Sequence, residues 1–268
     1  TFSLESNRKI KINFDGGDLS SDAGLLLIKE FAARIGLIKL VKQLFKTNDS
    51  AGFRFHTDSD NLMQMIYQII SAYFEDDCAD ELTNDPVFTA ILEKKALASQ
   101  PTLSRFWNRM DKDTLSQLEE ISSRLRQIIY SIEQPEHMLF DLDSTLLNTY
   151  GNQEGEGFNF HYQAHGYHPL LCYDGLTGDL LKAELRDGTQ YCGKGADQFM
   201  LPLLKEYRSL YPSLPLYFRG DSGFASPELY EVCEDNDCKY AIRLKQNPAL
   251  KKGKTDLIFP LSAVTPKR

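Results

Sequence analysis

Three aspartates stand at the ends of two short apolar runs. Asp141 and Asp143 close the run in HMLFDLDSTLLNTY (residues 137–150), and Asp221 closes the run in LYFRGDSGF (residues 216–224). A carboxylate at the end of a buried strand is costly unless it is paired, hydrogen-bonded or bound to a cation. Two such ends in one chain predict an acidic site for a divalent metal, the hard-oxygen chemistry of phosphoryl transfer. Two-metal transfer uses carboxylates to hold two cations about 3.5–4 Å apart, and the protein need only position ions and substrate. Asp143 and Asp221 fit the role of metal ligands. Asp141 lies two residues before Asp143 and so shares its face of the strand, as a third ligand or a supporting acid. Arg219, two residues before Asp221, is placed to orient a carboxylate or a phosphate.

The elements that must position these acids follow from periodicity and breakers. After Pro135 the sequence predicts strands at residues 137–143, 170–173 and 180–185, with turns at Asp174-Gly175 and Gly178. A helix over residues 196–210, stopped by Pro212, leads to a fourth strand at 216–218. Ser226-Pro227-Glu228 starts another helix, as N-cap, first-turn proline and first-turn acid, and a fifth strand spans 240–244. Strands joined by short turns are antiparallel and those joined through helices are parallel. The expected architecture is a mixed five-stranded sheet with flanking helices, the ribonuclease H-like arrangement, in which the first and fourth strands lie side by side. Before Pro135 the chain is mainly helical, after an opening strand over residues 9–14 that ends at Gly16-Gly17. Helices are expected over residues 21–35 (N-cap Ser20 or Ser21, end near Gly36), over 60–74, from Pro101, and over 114–132. The expected division is a mainly helical region over 1–135, a core over 136–250 that carries the acids, and a basic tail over 251–268.

Composition bounds the rest. The chain has 268 residues, 42% hydrophobic and 25% charged, as folded soluble proteins have. No segment is long and apolar enough for a bilayer and no signal segment opens the chain, so a cytoplasmic protein with no membrane partner is expected. The net charge of −8 argues against generic nucleic-acid binding. Its distribution is uneven: residues 137–242 hold 7 Lys and Arg against 16 Asp and Glu, and residues 243–268 hold 7 against 1. Five cysteines without a CxxC pair suit reduced thiols. His161, His165 and His168 before Cys172 do not have a zinc spacing. Tyr162, Tyr167 and His168 are expected in packing and loop roles, and Trp107 in packing. Arg105, Arg109, Arg124 and Arg126 are available for phosphate contacts, against the simpler role of neutralising nearby acids.

FDLDST, then GYHPLLCYDGLTGDLLKAELRDG, then RGDSGFASPELYEVCEDNDCKYAIRLKQN, with FDGGDLSSDAGLLLIKEF, CADELTNDPVF and ASQPTLSRFWNRM before them, resemble the DDE transposases of bacterial insertion sequences, specifically insertion-sequence family 1380. The resemblance covers residues 9–250. It implies a Mg²⁺- or Mn²⁺-dependent nuclease and strand transferase acting on insertion-sequence terminal repeats and target DNA, as a homo-oligomer. By motif match Asp143 is the first catalytic acid and Asp221 the second. The family's third acid, a glutamate on a helix well beyond the fifth strand, has no counterpart here, because Glu228 and Glu231 lie on the wrong helix. The resemblance therefore implies a partial or inactive copy, with weak or no strand transfer by this polypeptide alone.

Two other readings compete. DLDST fits the first motif of haloacid-dehalogenase-type phosphatases, with Asp141 as nucleophile and Asp143 as acid/base. Against it, Ala225 stands where that family needs another acid, and TYGNQEGEG follows where a helical cap belongs. The other is a non-catalytic, DNA-binding remnant.

Overall fold

The computed structural model describes residues 1–16 and 20–244. The chain divides into two compact units, Thr1–Gln134 and Pro135–Arg268.

The first unit pairs two short strands, β1 (Phe2–Ser3) and β2 (Lys11–Ile12), and carries seven helices among its described residues: α1 (Leu25–Arg34), α2 (Leu37–Leu44), α3 (Asp58–Ile70), α4 (Cys78–Glu81), α5 (Pro86–Leu92), α6 (Gln100–Trp107) and α7 (Lys112–Ile132). The strand expected over residues 9–14 shrinks to Lys11–Ile12, and Gly17 lies outside the described residues. The first helix starts at Leu25 after Gly24, with no side-chain cap from Ser20 or Ser21. Gly36 does end it, at φ 76°. Helices α3 and α7 start where capping chemistry is complete: Thr57 with Asp60, and Asp111 with Thr114, each satisfy the other's backbone N–H. Tyr67, Phe45, Phe88 and Phe106 fill the core. Lys29 is buried there because its ammonium donates to the Ile91 carbonyl (2.6 Å) and to Glu93 (2.9 Å).

The second unit contains β3 (Met138–Ser144), β4 (Leu147–Asn148), β5 (Gly157–Asn159), β6 (Ala164–Tyr167), β7 (Leu170–Asp174), β8 (Leu180–Glu184), α8 (Ala196–Leu210), β9 (Leu216–Gly220), α9 (Pro227–Asp235) and β10 (Cys238–Ile242). Five strands form one sheet in the order β10-β9-β3-β7-β8. Strands β3, β7 and β8 are antiparallel, whereas β9 and β10 run parallel to β3. This is a ribonuclease H-like sheet, and all five strands of the expected order are present. One connection departs from expectation. Strand β3 does not reach β7 by a short turn; residues between them build a second, three-stranded sheet, β4-β6-β5. Its strands are only two to four residues long, too short to show a period of two.

Alternation in β3 sets the two faces of the large sheet. Met138, Phe140 and Leu142 are buried on one face; Leu139, Asp141 and Asp143 point to the other. In β9, Leu216 and Phe218 are buried, and Tyr217 and Arg219 are exposed. Both helices cover the apolar face: Phe140 meets Tyr207 of α8 edge-on at 5.1 Å, and Tyr240 of β10 stacks on Tyr230 of α9 at 5.1 Å. Helix α9 begins as its sequence demands, with the Ser226 hydroxyl accepting from Leu229 N (3.3 Å) and Pro227 in the first turn. Phe140→Ala, at a fully buried site in the central strand, is expected to cost about 3–5 kcal/mol in chemical denaturation, and Phe140→Leu far less.

Candidate active site

The last registered pair between the parallel strands β3 and β9 is Leu142 with Gly220, and Asp141 stands across from Arg219. The next residues are Asp143, still on β3, and Asp221, the first residue after β9. Two carboxylates thus lie side by side at the same end of adjacent strands, roughly the 5 Å inter-strand spacing apart at the backbone. Each is fixed locally by one backbone N–H: Ser144 N donates to Asp143 Oδ1 (2.8 Å) and Gly223 N to Asp221 Oδ1 (2.7 Å). Among the described residues neither carboxylate is ion-paired. Asp141 differs: both its oxygens accept from the Arg219 guanidinium, at 3.0 Å from Nε and in a shorter contact from Nη2. The hydrogen bond to Asp141 and its charge raise the pKa of Arg219.

Asp143 and Asp221 open onto a cavity of about 420 Å³, to which Asp141 and Arg219 do not contribute. One wall is the turn after β5. Asn159 is buried and fastens this turn: its Oδ1 accepts from His161 N (2.9 Å) and Tyr162 N (3.2 Å), and its Nδ2 donates to the Gly188 carbonyl (2.8 Å). Phe160, His161 and Tyr162 are thereby presented to the cavity. The other wall is residues 189–192, held from behind by Arg186. This buried guanidinium donates to the carbonyls of His168 (2.9 Å), Lys194 (2.6 Å) and Cys192 (3.2 Å). Burial lowers its pKa, partly opposed by Glu184. His168 N donates back to the Arg186 carbonyl (2.9 Å), and His168 Nδ1 lies 2.8 Å from the Gln190 carbonyl. A carbonyl only accepts, so Nδ1 carries the proton, and in the neutral ring Nε2 is left as an acceptor.

The amino-acid sequence matches the family model of the transposase DDE domain group 1 over residues 2–260. The chain belongs to that family. No curated protein matches it. Among solved structures, it is similar to a piggyBac transposase synaptic complex with hairpin DNA at 15% identity and TM-score 0.41, over 81% of this chain and 52% of that one. It is also similar to the catalytic core domain of BIV integrase (13%, TM-score 0.27, 45% of this chain and 66% of that one). A simian T-cell lymphotropic virus intasome in complex with PP2A regulatory subunit B56 gamma gives 16% identity and TM-score 0.28, over 46% and 38%. The chain thus spans between 38% and 66% of the length of those chains.

Within this DDE domain, the structure brings Asp143 and Asp221 together and pairs Asp141 with Arg219. It gives other jobs to several residues considered from sequence. Arg109 is bound to Asp58 (3.1 Å) and Thr47 (3.1 Å), Arg124 to Glu120 (2.7 Å), and buried Arg126 to Ser122 (2.8 Å). Arg105 reaches Thr102. Trp107, expected to pack, touches Phe106 but remains 44% exposed. Tyr167 donates to the Glu154 carbonyl, whereas Tyr162 and His168, expected in packing and loops, line the cavity. His165 pairs with Glu156 (2.8 Å), away from His168. The tail over 251–268 lies outside the described residues. Asn159, Phe160, Arg186 and Thr189 were missed by sequence reasoning. The one available signal was an arginine directly after a predicted strand, in ELRDG.

The wall of residues 189–192 packs closely against the segment that follows β9. A Cβ on Gly223 would overlap Cys192 Sγ and stand 2.9 Å from Asp221 Oδ1. Gly223→Ala should therefore destabilise the chain by about 1–3 kcal/mol. Cys192→Ala in the same chain should restore most of the loss, both read as thermal midpoints.

Proposed function

We propose that this chain is the metal-dependent core of a DNA transposase, acting on phosphodiesters with Asp143 and Asp221 as the ligating carboxylates. The observation that carries this reading is the register of β3 on β9, which sets two acids, neither paired with a cation among the described residues, at adjacent positions on one cavity. Two like charges so close are disfavoured unless a cation lies between them. The donor set is carboxylate oxygen, which suits Mg²⁺ or Mn²⁺. On each acid one oxygen already accepts a backbone N–H, leaving the second for a metal. When bound, such ions activate the attacking water or 3′-hydroxyl and stabilise the leaving oxygen. The chain's own part is to keep both carboxylates aimed into the cavity. The Asp141–Arg219 pair joins the same two strands one row deeper in the sheet. No group of three or more His, Cys, Asp or Glu suited to a metal occurs among the described residues, so the described core supplies a two-acid site.

Insertion-sequence family 1380 is the finer placement that the quoted motifs support, with terminal repeats and target DNA as substrates and a homo-oligomer as the working form. The helical unit would take DNA-end binding or assembly. The phosphatase reading is weakened by one observation. Its nucleophile, Asp141, is held by both oxygens to Arg219 and does not line the cavity. No helix among the described residues is long and apolar enough to cross a membrane.

The test is calorimetric titration of the full chain with Mn²⁺, alongside cleavage of DNA carrying the element's ends. Asp143→Asn and Asp221→Asn should each abolish measurable Mn²⁺ binding and any cleavage. Asp141→Asn should weaken either by less than about tenfold, as expected for a half-exposed ion pair. Undiminished Mn²⁺ binding by the Asp143→Asn/Asp221→Asn chain would sink the reading.

A further inference from the structure

Beside the two acids the cavity carries a feature that metal binding does not need. Phe160, Tyr162 and Tyr191 line it, yet they are 79%, 42% and 54% exposed. Single exposed aromatics are ordinary on a protein surface. Three on the rim of one cavity that also holds the two carboxylates form a shared, partly exposed aromatic surface. Nor is their presentation loose. The turn bearing Phe160 and Tyr162 is closed by two backbone N–H groups donating to the buried Asn159 Oδ1 and by Gln163 Nε2 donating to the Phe160 carbonyl, and Asn159 Nδ2 ties it to the Gly188 carbonyl. Tyr162 is further braced edge-on against His168 at 5.8 Å. Tyr191 sits on the wall that Arg186 secures. Rigid, exposed ring faces of this kind are what unpaired bases stack on, since every base has a π-face and the contact tolerates any sequence.

From this, and resting on the phosphodiester reading of Asp143 and Asp221, we propose that the aromatic rim binds an unpaired nucleotide next to the phosphate held at the acids. The site would accept DNA with a frayed or single-stranded end in preference to a closed duplex. A volume of about 420 Å³ is at the lower end of the roughly 300–1,000 Å³ of clefts that enclose small ligands. It suits one nucleotide and not a stack of base pairs. Polar groups on the same cavity supply partners for a base edge or sugar: His168 Nε2, Thr189 and Ser144.

The experiment measures equilibrium binding by fluorescence anisotropy. The probes are a short fluorescein-labelled duplex with a thymidine overhang and its blunt counterpart. The full chain carries Asp143→Asn and Asp221→Asn and is kept in EDTA, so neither metal nor cleavage enters the result. The overhang should bind at least about fivefold more tightly than the blunt duplex, the lower range of stacking by one base. Adding Phe160→Ala and Tyr162→Ala should erase that preference, and Phe160→Trp should keep it. Equal affinity for both duplexes, or a preference that survives the double alanine change, would overturn the proposal. Because Phe160 is largely and Tyr162 partly exposed, unchanged circular dichroism is expected and separates loss of stacking from loss of fold. An overhang preference in a chain whose parent binds no Mn²⁺ would leave this inference standing while the metal reading fell. Tight Mn²⁺ binding without the preference would do the reverse.

Discussion

The structure depends on the parallel pairing of β3 with β9. These strands are about 75 residues apart in the sequence, joined through a small sheet, a hairpin and a helix, so their alignment is a long-range fact that no local signal sets. A slip of one residue would turn every side chain of the moving strand to the other face. Phe218 would leave the apolar layer beneath α8, and an aspartate would enter it. Burial of Met138, Phe140, Leu142, Leu216 and Phe218 therefore fixes the register, and the register fixes the distance between Asp143 and Asp221. The apolar layer is in this sense the ruler for the acidic site, at a gain of about 1.5–3 kcal/mol for each large side chain it buries.

On the opposite face the same register puts Asp141 across from Arg219. An exposed pair adds little stability, typically about 0–1 kcal/mol. Its effect is directional: it neutralises the carboxylate that does not face the cavity and leaves the two that do. Three aspartates of similar sequence setting thus acquire two electrostatic roles, decided by which cross-strand neighbour each meets.

How far this was legible in the sequence differs by element. The five strands of the large sheet and both helices of the second unit could be read because Pro135, Gly175, Pro212 and Ser226-Pro227 punctuate runs of clear period. The pairing of the acids followed from strand order alone. The β4-β6-β5 sheet could not be read, because strands of two to four residues bounded by Gly and Asn carry no periodic signal. With it went Asn159 and Phe160, half of the cavity wall. Arg186 was hidden for a different reason: its work is done through backbone carbonyls of His168, Cys192 and Lys194, and carbonyls have no residue identity. In the first unit the helix starting at Leu25 was placed too early, since serines before it suggested a cap that Gly24 takes instead.

The single buried Asn159 side chain has one further consequence. It ties the turn before β6 to Gly188, 29 positions later in the chain, while Arg186 ties β8 back to His168. The two walls are therefore cross-linked to each other, and neither can open alone. A fluctuation that releases one must release both, so the turn over residues 160–163 and the segment over 186–192 should behave as one cooperative unit of local unfolding. Opening of the active site is then all-or-none, and the carboxylates of β3 and β9 stay in register on the sheet while the walls come and go.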